Sequence, residues 1–152
     1  MEKNILEYFS EFLEKQDMLC KLTESQKLHN YGYSEIHTIR AIHDLPQPNV
    51  TAIAEYLKLT KGAISKITKK LISQGLIDTY MLADNNQKIF FSLKEKGEDL
   101  YREHEKRHSL WQERDNIFLA SFSKQELENI TFFMKKYNNY LEKQIDELSG
   151  KD

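Results

Sequence analysis

Apolar residues return every three or four positions from Ile5 through Phe9, Phe12, Leu13 and Leu19 to Leu22, a period that predicts an amphipathic helix. After Asn30-Tyr-Gly-Tyr33, Ser34 stands where a cap would start a second helix, with Ile36, Ile39, Ile42 and Leu45 as its inner stripe. Pro46 and Pro48 stop it, because proline lacks an amide hydrogen and restricts the residue before it. Asn49-Val-Thr opens a short third helix with Ile53, Ala54 and Leu57 inward. Thr60 is the expected cap of a fourth, which runs to Gln74 with Gly75 as the residue just past its end.

The period then changes from helical to alternating. Ile77 to Ala83 and Lys88 to Leu93 read as two strands, joined by the polar turn Asp84-Asn85-Asn86-Gln87. Helix resumes over 94–122, and Ser123 with Glu126 three residues on forms a capping box for a last helix. Leu127, Ile130, Met134, Tyr137, Leu141, Ile145 and Leu148 are its apolar stripe. Three short helices followed by a hairpin make the winged helix-turn-helix pattern. The expected fold is therefore mainly α with a small β-hairpin wing (α+β): a winged domain over 31–100, a connecting helix over 94–122, and dimerisation helices over 1–30 and 117–152. The two terminal stripes exceed what the small helical core can cover. Burial on a second copy of the chain is the reading adopted, against an antiparallel pair folded on itself, and Ile5, Phe9, Phe12, Leu127, Ile130, Met134, Tyr137 and Leu141 are the interface candidates.

Charge changes the picture. The 152 residues carry a net charge of -2, yet the stretch from Tyr56 to Ile77 holds five lysines (58, 61, 66, 69 and 70) and no Asp or Glu. The rest of the chain is acidic, so one cationic patch stands out, as a polyanion binder requires. On the fourth helix, Ile64, Ile67 and Leu71 share one stripe, while Gly62, Ser65, Lys66, Lys69 and Ser73 share the opposite face. Such a face fits the major groove of double-stranded DNA: Gly62 and Ser65 permit close approach, Thr60 and the first amides take a phosphate, and Lys61, Lys66, Lys69 and Lys70 neutralise others. No arginine stands there to grip guanine, so discrimination falls to Ser65, Lys66, Thr68, Lys69 or DNA shape. No apolar run approaches the ~20 residues that cross a bilayer, and the N-terminus lacks the features of a signal peptide. One cysteine, Cys20, closes no intrachain disulfide. A cytoplasmic protein without a membrane role is expected.

At Val50-Thr-Ala-Ile-Ala-Glu-Tyr-Leu-Lys-Leu-Thr60, Ile64-Ser-Lys-Ile-Thr-Lys-Lys-Leu-Ile-Ser-Gln-Gly-Leu-Ile77 and Ser92-Leu-Lys-Glu-Lys-Gly97 the chain resembles the MarR family of bacterial transcription regulators. The resemblance implies a homodimer reading a pseudo-palindromic operator, most often a repressor relieved by a small-molecule or metal effector, with no obligatory cofactor. It places the effector pocket between the dimer body and the winged domain, where Tyr31, Tyr33, Trp111 and Phe118 would suit an apolar or aromatic ligand. The family's wing usually carries an Asp-x-Arg pair; those positions here are Asn85 and Gln87. With Asn86 and Lys88 they remain the wing's candidate DNA contacts, Lys88 supplying the cation.

His104-Glu-Lys-Arg-His108 matches the HExxH zinc-hydrolase signature, in which histidines at i and i+4 bind the metal and the Glu activates water. Its surroundings are charged on several faces, and no histidine follows it, so the expected protein is not an enzyme. The resemblance offers another use for the pair. In zinc-sensing relatives such histidines lie near one from the second helix, which makes His37, His104 and His108 a candidate regulatory zinc site, with Glu24 or Cys20 as a fourth ligand. Hydrogen-bonding histidines between the dimer body and the winged domain are the simpler alternative. Cys20 reads as structural, because no His or Arg neighbours it in sequence.

Overall fold

The computed structural model describes residues 2–23 and 30–150, which divide into two compact units, 1–107 and 108–152. Its elements are α1 (Ile5–Thr23), α2 (Tyr33–Asp44), α3 (Val50–Leu57), α4 (Lys61–Ser73), β1 (Ile77–Leu82), β2 (Asn85–Leu93), α5 (Glu95–Leu119) and α6 (Lys124–Leu148). The expected α+β class with a two-stranded antiparallel wing is what forms.

Local chemistry sets most of the boundaries. Asn49 caps α3 by accepting the Ala52 amide at 2.8 Å, and Thr60 caps α4 by accepting that of Ala63 at 3.1 Å. Gly75, at φ +73°, takes the left-handed conformation that turns the chain out of α4 into the wing. At α6, Ser123 Oγ accepts the Glu126 amide while Glu126 accepts that of Ser123, completing the expected box.

Three boundaries differ from the sequence reading. The cap of α2 is Gly32, not Ser34: the Glu35 carboxylate accepts the Gly32 amide at 3.3 Å, so the helix starts earlier and Ser34 lies inside its first turn. The hairpin is tighter than the polar run suggested. Asn85 already pairs with Leu82, leaving Ala83 and Asp84 to cross, because the polarity of Asn85 to Lys88 marks a strand facing solvent and not a turn. Finally, α5 stops at Leu119, where the amides of Ser121 and Phe122 bond back three residues to Phe118 and Leu119.

The first unit's core joins Ile36, Ile39 and Ile42 of α2, Ile53 and Ala54 of α3, Ile64 and Leu71 of α4, Leu76, Ile77 and Phe91 around the hairpin, and Leu100 of α5. Two main-chain bonds fix the wing to it: the Phe91 amide donates to the Pro48 carbonyl at 2.8 Å, and the Lys94 amide to the Leu76 carbonyl at 3.0 Å. That second joint leaves no room. A Cβ at Gly97 would stand 2.2 Å from the Leu76 carbonyl oxygen, whereas one at Gly62 would meet nothing within 4 Å.

The terminal helices are different. Neither α1 nor α6 buries a residue; Ile5, Phe12, Ile130, Met134 and Leu141 are among the large apolar side chains they leave exposed. Along α6, Tyr137 stacks on Phe133 and Tyr140, with ring centroids 5.8 and 5.9 Å away. No helix among the described residues is long and apolar enough to cross a membrane.

The Gly97 contact gives a paired prediction. Gly97→Ala should lower stability by about 1–3 kcal/mol through the clash, while Gly62→Ala should raise it by about 0.5–1 kcal/mol through helix propensity. Thermal unfolding of both variants checks this; a Gly97→Ala protein as stable as wild type would contradict the close packing.

Candidate nucleic-acid interface

The site is built on α4. Ile64, Thr68 and Leu71 are buried on its inner face, which leaves Lys61, Gly62, Lys66, Lys69 and Lys70 exposed, with Ser65 half-buried at their centre. The Thr60 cap holds the first turn in register, and the amides of that turn have no acceptor within the helix, so the positive end of α4 opens on the same face. Lys58 sits just before it in a left-handed conformation, φ 57°, in which it ends α3. The sequence reading counted Lys58 in the charged patch without naming it as a site residue.

One predicted contact moves to the other side of the helix. Thr68, expected to face the groove, is 2% exposed, and its hydroxyl donates to the carbonyls of Ile64 at 2.9 Å and Ser65 at 3.1 Å. Its place four residues after Ile64 and three before Leu71 puts it on the core stripe, where its own helix satisfies its one polar group. Lys70 behaves differently from its neighbours too. It pairs with Glu35 of α2, the carboxylate that also accepts the Gly32 amide, so one acid organises the start of α2 and ties α4 to it.

The wing contributes Asn86, Gln87 and Lys88, all exposed, and Asn85, half-buried, whose side-chain oxygen accepts the Gln87 amide at 3.2 Å. Gln87, Lys88 and Ile89 form one wall of a groove whose other wall is Asn49, Thr51, Ala52 and Glu55 of α3 and its cap. Sequence reasoning missed this groove, because the Phe91–Pro48 bond that brings the two walls together leaves no mark in a one-dimensional pattern.

His104 is 8% exposed and lies edge-on to His37, ring centroids 6.0 Å apart, and His37 stacks in turn on Tyr33 at 3.9 Å. His108 belongs to the other unit, where its ring is 5.9 Å from that of Trp111. Among the described residues no three His, Cys, Asp or Glu side chains converge to hold a metal. Glu24, named as a fourth ligand, lies outside the described residues. Cys20 has a basic neighbour in the fold that it lacks in sequence: the Arg107 guanidinium donates to the Cys20 carbonyl at 3.0 Å and touches its sulfur. The two residues are 87 positions apart, so sequence adjacency gave no sign of the pairing.

A family model described as the MarR family matches residues 33–87. The HTH-type transcriptional regulator PchR of Bacillus subtilis (strain 168) is 33% identical over 109 residues, which cover 72% of this chain and 64% of PchR, so the chain spans less than two thirds of that relative's length. FabT of Streptococcus pneumoniae, solved in complex with DNA, superposes with a TM-score of 0.76 at 20% identity, over 92% of this chain and 96% of its own. ZitR of Lactococcus lactis, a zinc-responsive MarR family member, does so with a TM-score of 0.71 at 20% identity, over 91% and 99%.

Substituting Thr60 tests how the site is held. Thr60→Ala should cost about 1 kcal/mol of stability through loss of the cap, and Thr60→Ser should restore most of it. Denaturant titration checks this, and an unchanged midpoint in Thr60→Ala would contradict the capping geometry.

Proposed function

This chain belongs to the MarR family of transcription regulators, and on that footing we propose that it binds duplex DNA as a homodimer, setting α4 in the major groove of each half of a pseudo-palindromic operator. The observation that carries the reading is the outer face of α4: exposed Lys61, Lys66 and Lys69 with no acid among them, around Gly62 and Ser65, at the open positive end of a capped helix. Phosphates meet the lysines, Lys66 and Lys69 among them, and the first amides, while Ser65 reaches the base edges. Asn85, Asn86, Gln87 and Lys88 place one cation at the wing, and Lys70, held by Glu35, acts first in positioning α4. Thr68 stays in the core. FabT, of similar fold, has been solved with DNA, which supports the same use of this fold here.

The dimer follows from what a single copy leaves uncovered. Ile5 and Phe12 of α1 and Ile130, Met134 and Leu141 of α6 are between 40% and 60% exposed, an apolar area that water disfavours and a second copy would bury. With Phe9, Leu127 and Tyr137 they make up the proposed dimer surface. Repression relieved by a small effector is the regulatory mode proposed, in the cytoplasm.

Zinc as that effector would draw on His37 and His104, but two imidazoles fall short of the three or four ligands zinc takes, and no group of three His, Cys, Asp or Glu side chains suited to a metal is found among the described residues. No zinc-dependent step is therefore assigned. Hydrolysis at His104-Glu-Lys-Arg-His108 fares no better, since His104 is buried against His37 and not open to a substrate.

The test is fluorescence anisotropy with a duplex from upstream of the protein's own gene, over a range of salt and with competitor DNA. Saturable binding that survives competitor is expected. The slope of log affinity against log salt should fall by about 0.9 for each phosphate contact removed, so by about 3–4 in a dimer carrying Lys66→Gln and Lys69→Gln. A variant with the wild-type slope would contradict the assignment of α4.

A further inference from the structure

We infer that base discrimination falls to the wing, where the Asn86 and Gln87 carboxamides select A·T pairs, while α4 supplies affinity; this rests on the proposed binding of duplex DNA. With Thr68 turned into the core, the outer face of α4 presents Lys61, Gly62, Ser65, Lys66 and Lys69. An ammonium is a flexible point charge without the planar fork that makes arginine selective for guanine, and a hydroxyl donates or accepts to suit whichever base it meets. Gln74, a carboxamide at this helix, is its C-terminal cap, at the far end from the open positive turn. α4 is thus equipped to hold DNA and poorly equipped to choose a sequence.

The wing has the opposite inventory. From Ile77 to Leu93 it carries one lysine and two aspartates, so no net positive charge draws it to a polyanion. It offers hydrogen-bonding groups instead. The Asn85 carboxamide is used inside the hairpin, its oxygen accepting the Gln87 amide at 3.2 Å, whereas those of Asn86 and Gln87 lie exposed. Each sets an NH2 donor beside a carbonyl acceptor, the complement of N7 and the N6 amino group on the edge of adenine.

The strand pairing presents these two residues. Between the Tyr80–Phe90 and Leu82–Asn85 pairs, β1 supplies only Met81 while β2 supplies Asn86 to Ile89, so those four residues bulge out of the ladder. A bulge re-aims side chains away from the sheet. This one is braced on both sides. At one end Tyr80 stacks on the buried Phe90, ring centroids 5.5 Å apart, and the Phe91 amide is bonded to the Pro48 carbonyl; at the other, Asn85 pairs with Leu82 and holds the Gln87 amide. Side chains that choose between bases need such support, because a misplaced amide matches no edge.

The experiment compares the full-length wild type with an Asn86→Ala/Gln87→Ala variant on two duplexes of equal length, one enriched by wild type from a randomised pool and one of random sequence. The variant should lose about tenfold of its preference for the enriched duplex, the cost of a lost base contact. Its affinity for the random duplex and its salt slope should stay those of wild type, and selection repeated with it should release A·T pairs that wild type fixes. Lys66→Gln with Lys69→Gln should do the reverse, weakening both duplexes together and lowering the slope. A wing variant that discriminates as wild type does, one that weakens on both duplexes alike, or release of G·C pairs in place of A·T would overturn the inference and leave DNA binding through α4 standing. Wild type that binds no duplex would overturn both.

Discussion

The Leu76 carbonyl is the point on which the winged domain turns. It accepts the Lys94 amide at 3.0 Å and lies so close to the backbone at Gly97 that a methyl group there would overlap it. Leu76 follows the left-handed Gly75 that ends α4, and Lys94 follows the last residue of β2. This single oxygen therefore sets the end of α4, the base of the hairpin and the start of α5 against one another. Phe91, bonded to the Pro48 carbonyl and buried in the core, closes the other side of the wing onto α3. A rigid scaffold of this kind lets surface side chains act at fixed positions, which sequence-specific contact with a helical polymer demands.

On that scaffold charge is segregated by face. The inner side of α4 is closed by Ile64, Thr68 and Leu71, and the outer side gathers lysines without a compensating acid. Acids are kept for internal tasks: Glu35 organises the start of α2 and holds Lys70, and Asp44 collects Arg40, His43 and Tyr56. With an overall charge of -2, the lysine face of α4 stands as a cationic patch on an otherwise acidic chain.

Much of this was legible in the chain. Helix period, the caps at Asn49, Thr60 and Ser123, and the ending glycine at 75 are local signals, and each sits where local chemistry put it. The lysine face was legible for the same reason, since a helix converts spacing into direction. What failed was local polarity used as a proxy for exposure. Thr68 is polar yet inward, and its spacing from Ile64 and Leu71 was the signal that outranked its hydroxyl. Asn85 to Lys88 are polar yet in a strand. Ser34 is a good cap yet lost to Gly32, because Glu35 reaches back to the glycine amide. Contacts between distant positions, such as Arg107 with Cys20 and Glu35 with Lys70, had no one-dimensional trace at all.

The central claim is that the Thr60–Lys69 face of α4 is the surface that meets DNA. The most direct measurement is hydrogen exchange of the intact protein with and without a duplex that it has itself enriched from a randomised pool. Slowed exchange centred on the first turns of α4, with a smaller effect at Asn86 to Lys88 of the wing, is the predicted result. Enrichment of no sequence, or protection that leaves α4 unchanged and falls on another part of the chain, would contradict it.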